Sequence, residues 1–159
     1  MSFEETTKRL LTSENYDVAI EAVRLLREMP GVRPTEIQER MERVAWLTSV
    51  DMDLLKYEEL GLSKEEFNHV VLGVRFTQRP DWRPIEGYVW GLAGVWEEHR
   101  LVAACTHFGK LKWARVHDRK KARRKLWGES KHWVMDLVRL LGEPYGSWLL
   151  KQFEQELTA

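Results

Sequence analysis

The chain has 159 residues, enough for one domain that buries roughly 70% of its unfolded surface without help from a disulfide or a metal. Hydrophobic residues at 43% and charged residues at 31%, with only 10 glycines and 5 prolines, exclude the disordered and fibrous classes. A lone cysteine, Cys105, no charged-then-apolar leader and no 18-residue apolar stretch point to a cytoplasmic protein that neither bridges internally nor spans a membrane.

The apolar spacing is helical nearly throughout. Val18, Ala22, Leu25, Leu26 and Met29 form one stripe, ended by Pro30-Gly31. Thr35 and Gln38 have the capping-box spacing, and Ile37, Met41, Val44 and Ala45 continue a second helix to about Ser49. A short segment from Met52 to Leu60 leads through Gly61 to Ser63. There a second cap, the Ser63 hydroxyl with Glu66 at its third position, opens a helix buried along Phe67, Val70, Val71 and Val74.

Pro80 and Pro84 bracket a rigid connector, 80–84, between an acidic half, 1–79, and a basic, tryptophan-rich half, 85–159. The two halves are expected to pack as one domain. Ile85, Tyr88, Val89, Leu92 and Trp96 share one helical face; Leu101 to Phe108 reads as a buried helix broken by Gly109. Val134, Leu137, Val138 and Leu141 form a stripe that stops at Gly142 and Pro144, and Leu149, Leu150, Phe153 and Leu157 close the chain. No strand pattern interrupts this order, so the expected fold is an all-α bundle of about seven or eight helices.

The net charge of zero conceals a division. Residues 1–70 carry 9 Lys/Arg against 15 Asp/Glu, and residues 71–159 carry 16 against 10. The acidic excess peaks at Asp51, Asp53, Glu58, Glu59, Glu65 and Glu66. The basic excess is denser. Lys110, Lys112, Arg115, Arg119, Lys120, Lys121, Arg123, Arg124 and Lys125 face one anion, Asp118, within 16 residues. Such a block is a candidate phosphate contact, because each cation placed on a phosphate releases a condensed counterion. The competing reading is a solvated face folded back on the acidic half. Seven of the eight tryptophans lie beyond residue 80. Most sit on helical stripes as core mass, but Trp113 and Trp127 flank the basic block, where aromatic rings can stack on unpaired bases.

The segment Leu101-Val102-Ala103-Ala104-Cys105-Thr106-His107-Phe108-Gly109, followed by Lys110 to Val116, resembles a helix-turn-helix. Cys105 stands as the small residue four positions before a turn glycine. The resemblance places such an element at 101–126, with Lys112, Arg115, Arg119 and Lys120 toward DNA and Trp113 near bases. It departs from the pattern at Lys110, which stands where an apolar residue is usual; a plain helical hairpin accounts for the same spacing. A second match, Leu54 to Val71, would offer Glu65 and Glu66 to DNA, which phosphates repel.

Arg100 and His107 have a spacing similar to that of the arginine–histidine pair of HEPN ribonucleases, which implies phosphate binding and proton transfer at those two positions. Leu101 stands where that family carries a polar residue. His99, Cys105, His107, His117 and His132 follow no zinc spacing, and Glu66-x-x-His69 has no second copy, so no metal or cofactor is expected. The composite expectation is a non-enzymatic nucleic-acid-binding protein, either a DNA-binding regulator of phage or plasmid type or a small helical subunit of a nucleoprotein complex. A protein-interaction domain docking a basic partner through 51–66 is the alternative, and a HEPN-like ribonuclease the third.

Overall fold

A computed structural model of the chain describes residues 3–31, 34–47, 63, 64, 68 and 93–159. The described residues form six helices and no strand: α1 (Phe3–Lys8), α2 (Ser13–Glu28), α3 (Thr35–Leu47), α4 (Ala93–Val116), α5 (Lys120–Leu141) and α6 (Tyr145–Thr158). The fold is all-α. The connector 80–84 and the segments 51–62, 65–67 and 69–92 lie outside the described residues.

Helix α2 starts where Thr12 accepts the Asn15 N–H on its hydroxyl oxygen at 3.2 Å. It ends as expected, Met29 turning extended before Pro30. Helix α3 starts one residue earlier than the Thr35 box implies. The Pro34 carbonyl accepts from the N–H groups of Ile37 and Gln38, both at 3.1 Å, so Thr35 is already helical.

Helix α4 is the organising element. Val102, Ala103, Ala104 and Cys105 are each at most 1% exposed, which is how a helix apolar on every side must sit. It contacts α2, α3, α5 and α6. One continuous core joins Leu26 of α2, Met41 and Val44 of α3, Leu101 and Leu111 of α4, Leu137 of α5 and Phe153 of α6. Helices from both the acidic and the basic half therefore share a single interior.

The break expected at Gly109 is absent. Trp96, Leu101–Phe108 and Lys110–Val116 all lie on the one 24-residue α4, and the helix-turn-helix with its turn at Gly109 is not formed. Gly109 has another use. A Cβ built there would stand 2.8 Å from the Val18 carbonyl oxygen, so the missing side chain lets α2 and α4 backbones approach.

The chain reverses eight residues later, at His117-Asp118-Arg119. Asp118 takes φ of 54°. The Arg119 N–H bonds to the Ala114 carbonyl at 2.7 Å and the Asp118 N–H to the Arg115 carbonyl at 3.1 Å, the paired bonds of a Schellman terminus. His107 and Ser130, at nearly equal distances along the chain from this turn, meet at 2.7 Å. Helices α4 and α5 therefore run back along each other as a hairpin. At the far end Gly142, with φ of 63°, closes α5. Gly146 then admits the Val138 carbonyl, which a Cβ would meet at 2.6 Å.

Candidate nucleic-acid interface

The basic block spans the last turns of α4, the reverse turn and the first turns of α5. Helical geometry sorts it. On α5, Lys120, Lys121, Arg124 and Lys125 fall at positions i, i+1, i+4 and i+5 and are exposed, whereas Arg123 and Trp127 lie four residues apart on the inward side and are half-buried. Arg119 in the turn is exposed as well.

The inward cations meet carboxylates. Arg115 donates to both Glu156 carboxylate oxygens, Nε at 2.7 Å and Nη2 at 3.2 Å. This hydrogen bond, with the Glu156 charge behind it, raises the guanidinium further above its ordinary range against a smaller desolvation effect. Arg123 lies 3.7 Å from the same carboxylate and donates to the Glu156 backbone carbonyl. Glu156 itself is 5% exposed on α6, so one buried anion anchors an arginine from each arm of the hairpin. Lys112 pairs with Glu21 of α2 at 2.9 Å.

The outward cations do not. Lys120 is 3.9 Å from Asp118 with both side chains about four-fifths exposed, a pairing of little energy in water. Arg119, Lys121, Arg124 and Lys125 form no ion pair among the described residues. Lys110, on α4, has an exposed surface and no ion pair among the described residues, but the protein around it lowers its pKa by desolvation, which the Glu14 charge of α2 partly offsets. Of the nine cations, only Lys112 forms an ion pair with a described residue of the acidic half. Among the described residues the block is thus partly neutralised on its inner side and open on its outer side.

Two clefts flank the end of α4 on opposite faces. A cleft of about 420 Å³ lies between the hairpin and α6 and is lined by Arg115, Lys120, Arg123, Arg124 and Trp127, with Asp118 at one edge and Leu157 on the far wall. Trp127 backs onto Phe153, ring centroids 5.9 Å apart and planes at 24°. A smaller cleft, about 160 Å³, lies on the α2 side and holds Lys112, Trp113 and His117. There the Trp113 ring stacks against His117 at 4.3 Å, whose Nδ1 lies 3.0 Å from the Trp113 carbonyl. Lys112 and Trp113 therefore sit apart from the arginine-lined cleft, turned by about half a helical circumference.

The HEPN-like pair falls on one helix, α4. His107 is 5% exposed, with Nε2 on the Ser130 hydroxyl. The Ser130 hydroxyl also donates to the Leu126 carbonyl; the serine therefore accepts from a protonated Nε2. Burial, then the nearby Lys110 charge, pushes the His107 pKa down to about 3. A neutral, enclosed imidazole held by a serine is placed to tie α4 to α5. Among the described residues no group of His, Cys, Asp and Glu side chains is arranged to hold a metal ion. No described helix is long and apolar enough to cross a membrane. The partner-binding acids Asp51, Asp53, Glu58, Glu59, Glu65 and Glu66 lie outside the described residues.

Sequence reasoning missed Glu156 as the organiser of the site. A signal was present: Glu156 lies seven residues from Leu149 and three from Phe153, on the stripe that buries α6. No protein-family model, curated protein or solved structure matches the chain, so the functional reading comes from these side chains alone.

Proposed function

We propose that this chain is a non-enzymatic nucleic-acid-binding protein, a DNA-binding regulator or a small helical subunit of a nucleoprotein complex, that grips phosphates with the turn and first turns of α5. The observation that carries the reading is the row Arg119, Lys121, Arg124 and Lys125, exposed and without an ion pair among the described residues. Four such cations at the start of one helix run against the preference of the helix dipole, which favours anions there. No acidic residue stands in the first turn of α5 to offset them. A polyanion laid across this end satisfies both the side chains and the helix N-terminus.

The inner arginines give the surface its shape. Arg115 and Arg123, held by Glu156, fix the hairpin against α6, so Lys121, Arg124 and Lys125 are carried on a supported helix, with Arg119 in the turn just before it. Reversing Lys121, Arg124 and Lys125 together to Glu leaves every described ion pair in place. The triple variant is expected to keep its helical circular dichroism and lose at least tenfold in affinity for a fluorescein-labelled oligonucleotide at 50 mM salt. Unchanged affinity in a folded triple variant contradicts the proposal.

A further inference from the structure

The cleft between the hairpin and α6 combines features that a run of surface cations lacks. Its volume of about 420 Å³ is within the range of sites that enclose a small organic ligand. Its lining sets Ala114, Leu157 and the Trp127 indole beside Arg115, Lys120, Arg123 and Arg124, with Asp118 as the acidic side chain of the lining and Glu156 already paired to Arg115 and Arg123. Phe153 behind Trp127 holds the indole in place, and Glu156 does the same for two of the arginines. Trp127, Arg115 and Arg123 are thus set before a ligand arrives, which lowers the entropy lost on binding, while the exposed Lys120 and Arg124 are free to close on an anion.

We infer that this cleft takes one unpaired nucleotide, its base against Trp127 and its phosphate on Lys120 and Arg124. The inference rests on the nucleic-acid reading above and adds the strand state that the protein selects. An aromatic face beside cations suits a flat base with an attached phosphate, since stacking on an indole serves every base and guanidinium groups supply the anion contact. Continuity with the outward row decides for a nucleotide over other amphiphilic anions. Lys121 and Lys125 extend from the cleft edge on the same helix, where the next phosphates of a strand would pass. A base paired in a duplex cannot enter the cleft without leaving its stack.

The test compares a 12-nucleotide single strand, the matching duplex, a free nucleoside 5′-monophosphate and inorganic phosphate. Single strand is expected to bind more tightly than duplex at equal salt. Trp127→Leu, which keeps an apolar group against Phe153, is expected to weaken single-strand binding about 5- to 150-fold and leave duplex binding and the salt slope unchanged. The 5′-monophosphate competes at millimolar concentration for the single strand, and inorganic phosphate competes less. Arg124→Ala, at an exposed position, tests the phosphate contact with no demand on the core and is expected to weaken 5′-monophosphate competition at least threefold.

Wild-type protein that binds duplex and single strand alike, with Trp127→Leu and Arg124→Ala leaving single-strand preference and 5′-monophosphate competition unchanged, overturns the cleft assignment and leaves the phosphate row standing. Wild-type protein that binds neither nucleic acid at 50 mM salt overturns both. Competition by inorganic phosphate equal to that by the nucleotide makes the cleft an anion site without a base and also overturns the inference.

Discussion

Two buried polar side chains have opposite electrostatic roles. His107 is neutral because its surroundings exclude water and Lys110 stands nearby, which holds its pKa near 3 against an ordinary 6.5. With the folded-state pKa depressed, the unfolded chain binds the extra proton first, and stability is lost as pH falls from about 6.5 toward 3, at up to ~1.4 kcal/mol per pH unit. Urea midpoints between pH 7 and 5, above the range in which ordinary carboxylates titrate, are therefore expected to drop for the native protein. In His107→Gln they are expected to stay flatter, from a lower starting stability. Equal slopes for the two proteins contradict this role.

Glu156 is charged and shared by two arginines. Glu156→Gln keeps an amide oxygen in reach of Arg115 but removes the anion that offsets both guanidinium groups. We expect a stability cost of ~1–3 kcal/mol, as for a buried charge pair with one partner neutralised and the arginines still partly solvated. At low salt the variant should bind nucleic acid severalfold more tightly, because the cleft gains one net positive charge. Weaker binding by a folded Glu156→Gln variant would mean that the carboxylate positions the arginines more than it neutralises them.

At the scale of elements, α4 shows what could and could not be read from the sequence. The stops at Pro30-Gly31 and at Gly142 were legible because the chain leaves the helix there by extended or left-handed backbone. Gly109 and Asp118 exchanged roles. The sequence offers Gly109 as the natural turn residue, yet it serves a helix crossing, and the turn falls on Asp118, one of the few non-glycine types that adopt positive φ at modest cost. Backbone proximity between two helices distant in sequence has no local signature, so this error was built into a local reading. The same holds for Glu156, whose partners are 33 and 41 residues away.

The crossing makes a prediction at this scale. In an isolated helix Gly109→Ala is worth up to ~1 kcal/mol of added stability, but here the methyl group meets the Val18 carbonyl at 2.8 Å. Backbone cannot yield as a side-chain tip does. Overpacking of this kind costs ~1–3 kcal/mol, so the net change is expected to be a loss. A raised melting temperature for Gly109→Ala would show that α2 and α4 separate easily, which the continuous core argues against.

At the scale of the whole molecule, the division of charge between the two halves is only partly closed on itself among the described residues. Arg40 of α3 holds Glu98 of α4 through two bonds, at 2.7 and 2.9 Å, and Glu21 holds Lys112. These pairs join the described acidic half to α4 and leave the start of α5 untouched. The all-α class and the basic block were readable from periodicity and local charge density, both of which are short-range properties. Which cations stay open was not, because it depends on where α6 returns and on the acid it brings.

That openness is the central claim, and the salt dependence of binding tests it most directly. Four phosphate contacts predict that log K falls against log salt with a slope of about −3.6 for duplex DNA and about −2.8 for a single strand, measured by anisotropy from 50 to 200 mM salt. A slope near zero, or no binding at the lowest salt, would contradict the account.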